Sequence, residues 1–318
     1  MTALVSIITP SYDRLDFIKG CVESVQTQTY GAIEHIVVDG GSTDGTVDFL
    51  EEMQRAGKLR YVSERDDGMY DAINKGMRMA SGEVVAYLNT DDRYLPWSVE
   101  LAVEQLAARK ADLVFGELCV VAQRASAEAR WHLQLYKKFS KRQYTFFTAI
   151  AQPTVFMKRS LVERVGEFGN GFRLIADCDY WLRAAEAGAS IVHIDEVMAV
   201  QIDHAQTLRE TQEEALNTEF TRLRELHGAG AGAAPGKLEA RLENAVWFRY
   251  ANLLYVLAGQ RGDPRWRRFG AWAGLLPRAG QSLPRQVLPL LLPRARMQRA
   301  NLPYGGDRLP GPLKSLLP

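Results

Sequence analysis

Two adjacent carboxylates, Asp91 and Asp92, close the run Val84-Val85-Ala86-Tyr87-Leu88-Asn89-Thr90-Asp91-Asp92. Val84 to Leu88 read as a buried strand whose C-terminal end delivers both acids to one point. Neighbouring acids repel each other, and the run contains no basic residue before Arg93. A divalent cation would relieve that repulsion, and hard oxygen donors of this kind suit Mg2+ or Mn2+. The plain alternative is a solvated turn, because turns favour Asp.

Other apolar runs end in comparable groups. Thr9-Pro10-Ser11-Tyr12-Asp13 follows the first, Asp39-Gly40-Gly41-Ser42-Thr43-Asp44-Gly45 the second, and Ser63-Glu64-Arg65-Asp66-Asp67-Gly68 the third. The elements that must hold these groups are strands at Val5–Thr9, Ile33–Val38, Leu59–Val62, Val84–Leu88 and Asp112–Phe115. Between them, helical spacing at Phe17, Cys21, Val22 and Val25 is followed by helices at Thr46–Met53, Asp71–Ala80 and Trp97–Ala108. Strands alternating with helices predict an α/β fold with a mostly parallel sheet covered on both faces. Ligands of such sheets bind outside the carboxyl ends of the strands, the edge where these acids, hydroxyls and glycines collect.

Further along, residues 118–160 are less regular, mix aromatic and basic residues over Arg130–Arg142, and read as covering the open side of the sheet. Leu161–Val165 and Tyr180–Ala187 read as helices, Ser190–Ile194 as a strand and residues 207–227 as a charged helix. The organisation expected is a domain over residues 1–227, a Gly/Ala linker over 228–236 and a basic, aromatic-rich, partly helical extension over 237–318.

Composition, at 47% hydrophobic and 24% charged residues, is that of an ordinary globular protein. Cys21, Cys119 and Cys178 lie far apart with no CxxC pair, which suggests neither disulfides nor zinc and fits a reducing cytoplasm. The N-terminal residues read as a first strand rather than a signal peptide. No apolar run reaches the ~20 residues that span a bilayer. The net charge of +1 conceals a split: residues 237–318 carry 14 Lys and Arg against 4 Asp and Glu, leaving 25 against 34 for residues 1–236.

Ser6–Tyr12, Val37–Thr46, Glu64–Gly76, the opening run and Ala176-Asp177-Cys178-Asp179-Tyr180-Trp181-Leu182-Arg183 occur in this order over roughly residues 4–205. In that set the chain resembles the family 2 glycosyltransferases, whose GT-A fold transfers a sugar from a nucleotide sugar. The resemblance implies that Asp39 accepts from a base N–H while Thr9, Pro10 and Tyr12 wall the base; capping of the helix near Thr46 is the other reading of Asp39. Asp66, Tyr70 and Asn74 are implied nucleotide contacts. Lys75 either offsets phosphate charge or is an exposed helical lysine. Asn89 departs from the family by standing where many members have an acid. Asp91 then bonds ribose and Asp92 holds the metal, or the two share it, with Asp92 bearing most of the expectation.

Asp177 matches the family's general base, although Ala176 replaces the usual Glu; Asp179 is the runner-up, or else pairs with Arg183. A base opposite the leaving diphosphate would invert the anomeric centre. Gln152 falls on the acceptor side. Trp181 can stack on a sugar or belong to the core, and His204 can meet the diphosphate or the solvent.

The expected activity is inverting, metal-assisted transfer from a nucleotide-diphosphate sugar, UDP-linked by preference, to a glycan or lipid-linked hydroxyl in cell-surface polysaccharide synthesis. A sugar nucleotidyltransferase is the rival enzyme, but its glycine-rich, basic first loop is missing from Thr9-Pro10-Ser11-Tyr12. A non-catalytic nucleotide-sugar-binding protein is the rival outside enzymes. The tail interleaves Trp266, Phe269 and Trp272 with Arg265, Arg267, Arg268 and Arg278. That pattern suits the inner face of an anionic membrane, or packing on the acidic domain or a second subunit. Nucleic-acid binding is not expected beside that acidic domain.

Overall fold

The computed structural model describes residues 2–122, 130–134, 150–169, 171–204, 207 and 212–228. Its first half alternates β1 (Val5–Ser11), α1 (Leu15–Gln26), β2 (Ile33–Asp39), α2 (Thr46–Arg55), β3 (Arg60–Ser63), α3 (Met69–Met79) and β4 (Val84–Tyr87). Then come β5 (Asp92–Tyr94), α4 (Ser98–Ala108), β6 (Leu113–Ala122), β7 (Arg130–Gln134), a 3-10 turn (Gln152–Thr154) and β8 (Phe156–Lys158). The last elements are α5 (Arg159–Val165), α6 (Ala176–Glu186), β9 (Ile191–Asp203) and α7 (Glu213–Gly228).

The strands form one sheet in the order β3-β2-β1-β4-β8-β6-β9-β5, with β7 also on β6. Strands β3, β2, β1 and β4 are mutually parallel. Every residue of β1 and of β4 is buried, as helices on both faces require of such strands. Beyond β4 the sheet is mixed: β8 runs antiparallel to β4 and β6, and β5 antiparallel to β9, while β6 and β9 are parallel.

Two expectations change here. Part of the 118–160 stretch builds the sheet rather than covering it, because β6 continues to Ala122 and β8 inserts beside β4. Three residues, Phe156–Lys158, are too few to display a period. Strand β9 also runs well past Ile194 to Asp203, its polar Asp195 and Glu196 falling where the register with β6 shifts. Helix α7 takes in Gly228; the rest of the linker and the basic extension lie outside the described residues. Among the described residues no helix is long and apolar enough to cross a membrane.

Alternating side chains divide the core into two layers. Ile8, Val38, Tyr87 and Phe115 pack with α3 and α6 through Ile73, Tyr180 and Trp181. On the opposite face Ile7, Ala86, Leu88 and Val114 meet Cys21, Val99 and Ala102 of α1 and α4. The three cysteines are buried and none forms a disulfide.

Helix α3 can approach β1 only because Gly76 lacks a side chain, since a Cβ there would overlap Ile8. Gly76→Ala should therefore cost about 1–3 kcal/mol by overpacking, read as a lower urea midpoint with an unchanged slope.

His35, on β2, is buried with Nε2 2.9 Å from Thr9 Oγ1. Burial holds the imidazole down at about 4, against an ordinary 6.5. Between those values the unfolded chain binds a proton that the folded chain refuses, so this contribution to stability is complete above pH 6.5 and lost as the pH falls toward 4. The expected loss is about 3 kcal/mol. Urea unfolding of His35→Gln should show a correspondingly shallower decline between pH 7 and pH 4 than the native chain.

Candidate active site

The ends of β1, β2 and β3 are level, with Ser11 opposite Asp39 and Asp39 opposite Ser63, while β4 ends at Tyr87 opposite Ile8; backbone bonds cross this edge. Gly40 N–H donates to Ser11 O (2.8 Å), Glu64 N–H to Asp39 O (3.0 Å) and Leu88 N–H to Ile8 O (2.8 Å). The following loops interlock through side chains: Asp13 Oδ1 accepts from Thr43 N–H, and Asp13 N–H donates to Ser42 Oγ, both at 2.8 Å. Asp44 accepts from Leu15 N–H (2.9 Å) and Thr46 N–H (3.0 Å), which ties the first turns of α1 and α2 to one carboxylate. Desolvation by the surrounding loop pushes that exposed carboxyl up, but the bonds from Thr46 and Leu15 outweigh it and hold it below its ordinary value.

Asp39 stands at this edge with no exposed surface. Oδ2 accepts from Gly41 N–H (3.0 Å), Ser42 N–H (2.9 Å) and Ser63 Oγ (2.7 Å), and Oδ1 accepts from the Ser42 hydroxyl. It braces the loop and does not cap α2, whose first N–H goes to Asp44. Gly40 faces Asp66 and Tyr12: a Cβ there would lie 2.9 Å from Asp66 Oδ2 and 3.2 Å from Tyr12 Cδ2. Asp66 Oδ1 accepts from Gly68 N–H (2.9 Å), and the Tyr12 ring is 62% exposed. Pro10 is buried beside them. Thr9 is not a wall of this cleft, because its hydroxyl points into the core between His35 and Cys21.

Three other expected nucleotide contacts are engaged in the protein itself. Asn74 is buried and makes a two-way pair with the Phe168 backbone, Nδ2 donating to its carbonyl and Oδ1 accepting from its N–H, each at 2.9 Å. Lys75 lies 3.0 Å from Glu64 and 3.3 Å from Asp71. The Glu64 bond first, then Asp71, raises its pKa, so its charge is answered locally. Tyr70 is buried and donates to Asp177 Oδ1 at 3.1 Å. Burial, followed by the charge of Asp177, pushes its phenol well above the ordinary value, so the hydroxyl keeps its proton.

The paired acids separate. Asp92 belongs to β5, opposite Gln201, and has no exposed surface. Its charge is felt by Cys21, whose thiol burial pushes up to about 12, and by the Tyr94 phenol. Asp91 is the more accessible of the two acids, its side chain 28% exposed. Asp91 Oδ2 lies 3.3 Å from His204 Nε2, and the His204 ring stacks on Phe17 with centroids 4.5 Å apart. The antiparallel pairing of β5 with β9 carries His204 across 113 residues of sequence to this point. An oxygen and an imidazole nitrogen at this spacing fit Mg2+ or Mn2+, the nitrogen favouring Mn2+. Asn89 Oδ1 is buried there with no hydrogen-bond partner among the described residues, while its Nδ2 donates to Gln152 Oε1 (3.2 Å) and Gln152 Nε2 to Tyr87 O (2.9 Å).

Asp177 opens α6 and is partly exposed; Oδ1 also accepts from Cys178 N–H at 2.9 Å. The Tyr87 phenol, at the end of β4, is raised first by burial and then by the charge of Asp177, with Asp92 also contributing. Asp179 is not the alternative base. It is fully buried between Arg183 Nε (2.7 Å) and His227 Nε2 (2.9 Å), in keeping with the ion-pair reading. Trp181 is likewise core, with no exposure and an edge contact to Tyr180.

A cluster that the sequence did not reveal joins β6 to β9, with His193 between Glu117 (2.8 Å) and Asp195 (3.3 Å). His193 and Asp195 have strand spacing, but only the register shift brings them to Glu117.

Residues 6–166 match the family described as Glycosyl transferase family 2. The chain belongs to this family. It is 35% identical over 190 residues to an uncharacterized glycosyltransferase of Mycobacterium tuberculosis, covering 57% of this chain and 68% of the relative. A PGL/p-HBAD biosynthesis glycosyltransferase of Mycobacterium bovis is 29% identical over 184 residues, 57% of this chain and 69% of the relative. The solved structure of S. aureus TarS 1–349 in complex with UDP-GlcNAc superposes with a TM-score of 0.58 at 17% identity, covering 75% of this chain and 70% of that one. The fold is therefore GT-A, as the family resemblance implied.

Divalent-cation affinity tests which of the two acids holds a metal. Asp91→Asn and His204→Ala should each weaken Mn2+ binding, measured by calorimetry, roughly 10- to 100-fold. Asp92→Asn should leave that affinity unchanged and lower the melting temperature instead.

Proposed function

We propose that this glycosyltransferase moves a sugar from a UDP-sugar to a hydroxyl of a glycan or lipid-linked acceptor, with inversion, in cell-surface polysaccharide synthesis. The observation that carries the proposal is the pair of partly exposed acids near the end of β4: Asp91 with His204, and Asp177 bonded by the buried Tyr70 phenol, whose pKa burial raises well above the ordinary value. The family supports the activity. The UDP-GlcNAc in the TarS structure supports a UDP-linked donor, and the relative named for PGL/p-HBAD biosynthesis supports a biosynthetic role.

In this reading the base lies against Tyr12 and Gly40, with Asp66 alongside. Its N–H reaches Asp39 Oδ1 once the Ser42 hydroxyl turns away. Asn89 Oδ1, an acceptor awaiting a donor, takes a ribose hydroxyl in place of the missing acid. Asp91 and His204 would hold Mg2+ or Mn2+, which when bound would supply positive charge against the diphosphate. Asp177 accepts the proton of the acceptor hydroxyl as its oxygen bonds to the anomeric carbon and the bond to the diphosphate breaks. Attack from the side opposite the diphosphate inverts that centre. The expected location is the cytoplasmic face of a membrane, with the basic 237–318 extension as its contact.

A screen of UDP-, GDP- and dTDP-sugars for hydrolysis by the full chain should return a UDP-sugar. EDTA should suppress the activity and Mn2+ should restore it. Asp177→Asn should lower the rate by about 100- to 10,000-fold with UDP affinity intact. Near-normal turnover by that variant would remove Asp177 from the role of base.

A further inference from the structure

The backbone that carries Asp177 is held from outside its own helix. Glu219, in the middle of α7, accepts three successive backbone N–H groups, those of Arg173 (2.9 Å), Leu174 (2.9 Å) and Ile175 (3.2 Å). They precede α6 directly, and three consecutive N–H groups aimed at one carboxylate make a charge-assisted clamp on the turn. Leu174 and Asp177 are also the two residues that Tyr70 engages, its hydroxyl lying 3.4 Å from Leu174 O and 3.1 Å from Asp177 Oδ1. The turn is thus fixed by α7 on its N–H side and by α3 on its carbonyl side.

Helix α7 presents one continuous face to this task. Arg222, three residues after Glu219, donates to Gly171 O (2.9 Å) and lies over the Phe172 ring at 5.1 Å. His227, a further turn on, bonds Asp179 (2.9 Å) and Glu186 (3.0 Å) of α6. Leu223 is buried between these contacts, and Leu216 and Phe220 pack on the same core. The spacing is that of one helix stripe. It grips both the turn before Asp177 and the helix after it, with residues beyond the 6–166 match to the family.

We propose that Glu219 is a positioning residue for the transfer reaction: by fixing the Arg173–Ile175 turn it sets where the Asp177 carboxylate stands against the acceptor hydroxyl. The proposal rests on Asp177 being the base. A displacement of about 1 Å at such a group can cost on the order of 100-fold in rate, so losing the clamp should act on turnover rather than on donor binding.

The test uses the full chain and the sugar nucleotide returned by the donor screen. Glu219→Gln and Glu219→Ala should lower kcat about 10- to 100-fold, with UDP affinity unchanged by calorimetry. Amide hydrogen exchange across residues 171–177 should quicken in both variants. In an Asp177→Asn background, Glu219→Gln should cause no further loss, because its effect passes through the absent base. Wild-type kcat in both Glu219 variants, or a loss that adds in full to that of Asp177→Asn, overturns the proposal. Should Glu219→Ala fail to fold, the kcat of Glu219→Gln decides alone. Full activity of Asp177→Asn by itself would overturn the base reading and the proposal with it, while the exchange data would still report whether Glu219 holds the turn.

Discussion

The parallel ladder of β3, β2, β1 and β4 fixes everything else, because in-register pairing makes β1, β2 and β3 stop at one level beside the end of β4. Once Ser11, Asp39 and Ser63 end side by side, with β4 stopping at Tyr87 opposite Ile8, the loops that follow crowd their polar groups onto a single edge. The ladder accounts for the concentration of acids without any one of them having been drawn there by a ligand. Their chemistry is then decided by how each charge is compensated.

Compensation separates the acids into two groups. Asp39 receives two backbone N–H groups and two hydroxyls, Asp44 two N–H groups that open helices, and Asp179 an arginine and a histidine. Such carboxylates are spent on holding loops and helices, and burial without those bonds would be costly. Asp91 and Asp177 are partly exposed. Asp91 has beside it an imidazole that is itself a metal ligand by nature.

Local pattern carried the first half of the fold into view. Buried runs such as Ile33–Val38 and helical spacing at Phe17, Cys21 and Val25 are properties of neighbouring residues, and the elements appear within a residue or two of where that pattern puts them. What stayed hidden depends on contacts between distant segments. Strand β8 is three residues long and gains its identity only from β4 and β6. Asp91 and Asp92 are indistinguishable by spacing, and only the pairing of Asp92 with Gln201 turns one inward and leaves the other beside His204. Asn74 has the residue type of a ligand contact, yet its amide matches a backbone N–H and carbonyl 94 residues away. Residue type narrows the candidates; tertiary pairing assigns them.

Tyr70 shows why the buried scaffold and the reactive edge cannot be treated separately. A phenol kept neutral by burial can donate but carries no charge, so its bond to Asp177 Oδ1 orients the carboxylate without neutralising it as an arginine would. An ion pair at that position would make the carboxylate a poorer proton acceptor by favouring its charged form. Cys178 N–H bonds the same oxygen from within the first turn of α6. The two donors together define the plane of the group. The same hydroxyl lies beside Leu174 O, so the orientation of the carboxylate is referred to the backbone of the preceding turn and, through α3, to β1. In the proposed role of base, Asp177 takes its position from the same sheet that carries the groups proposed to face the nucleotide.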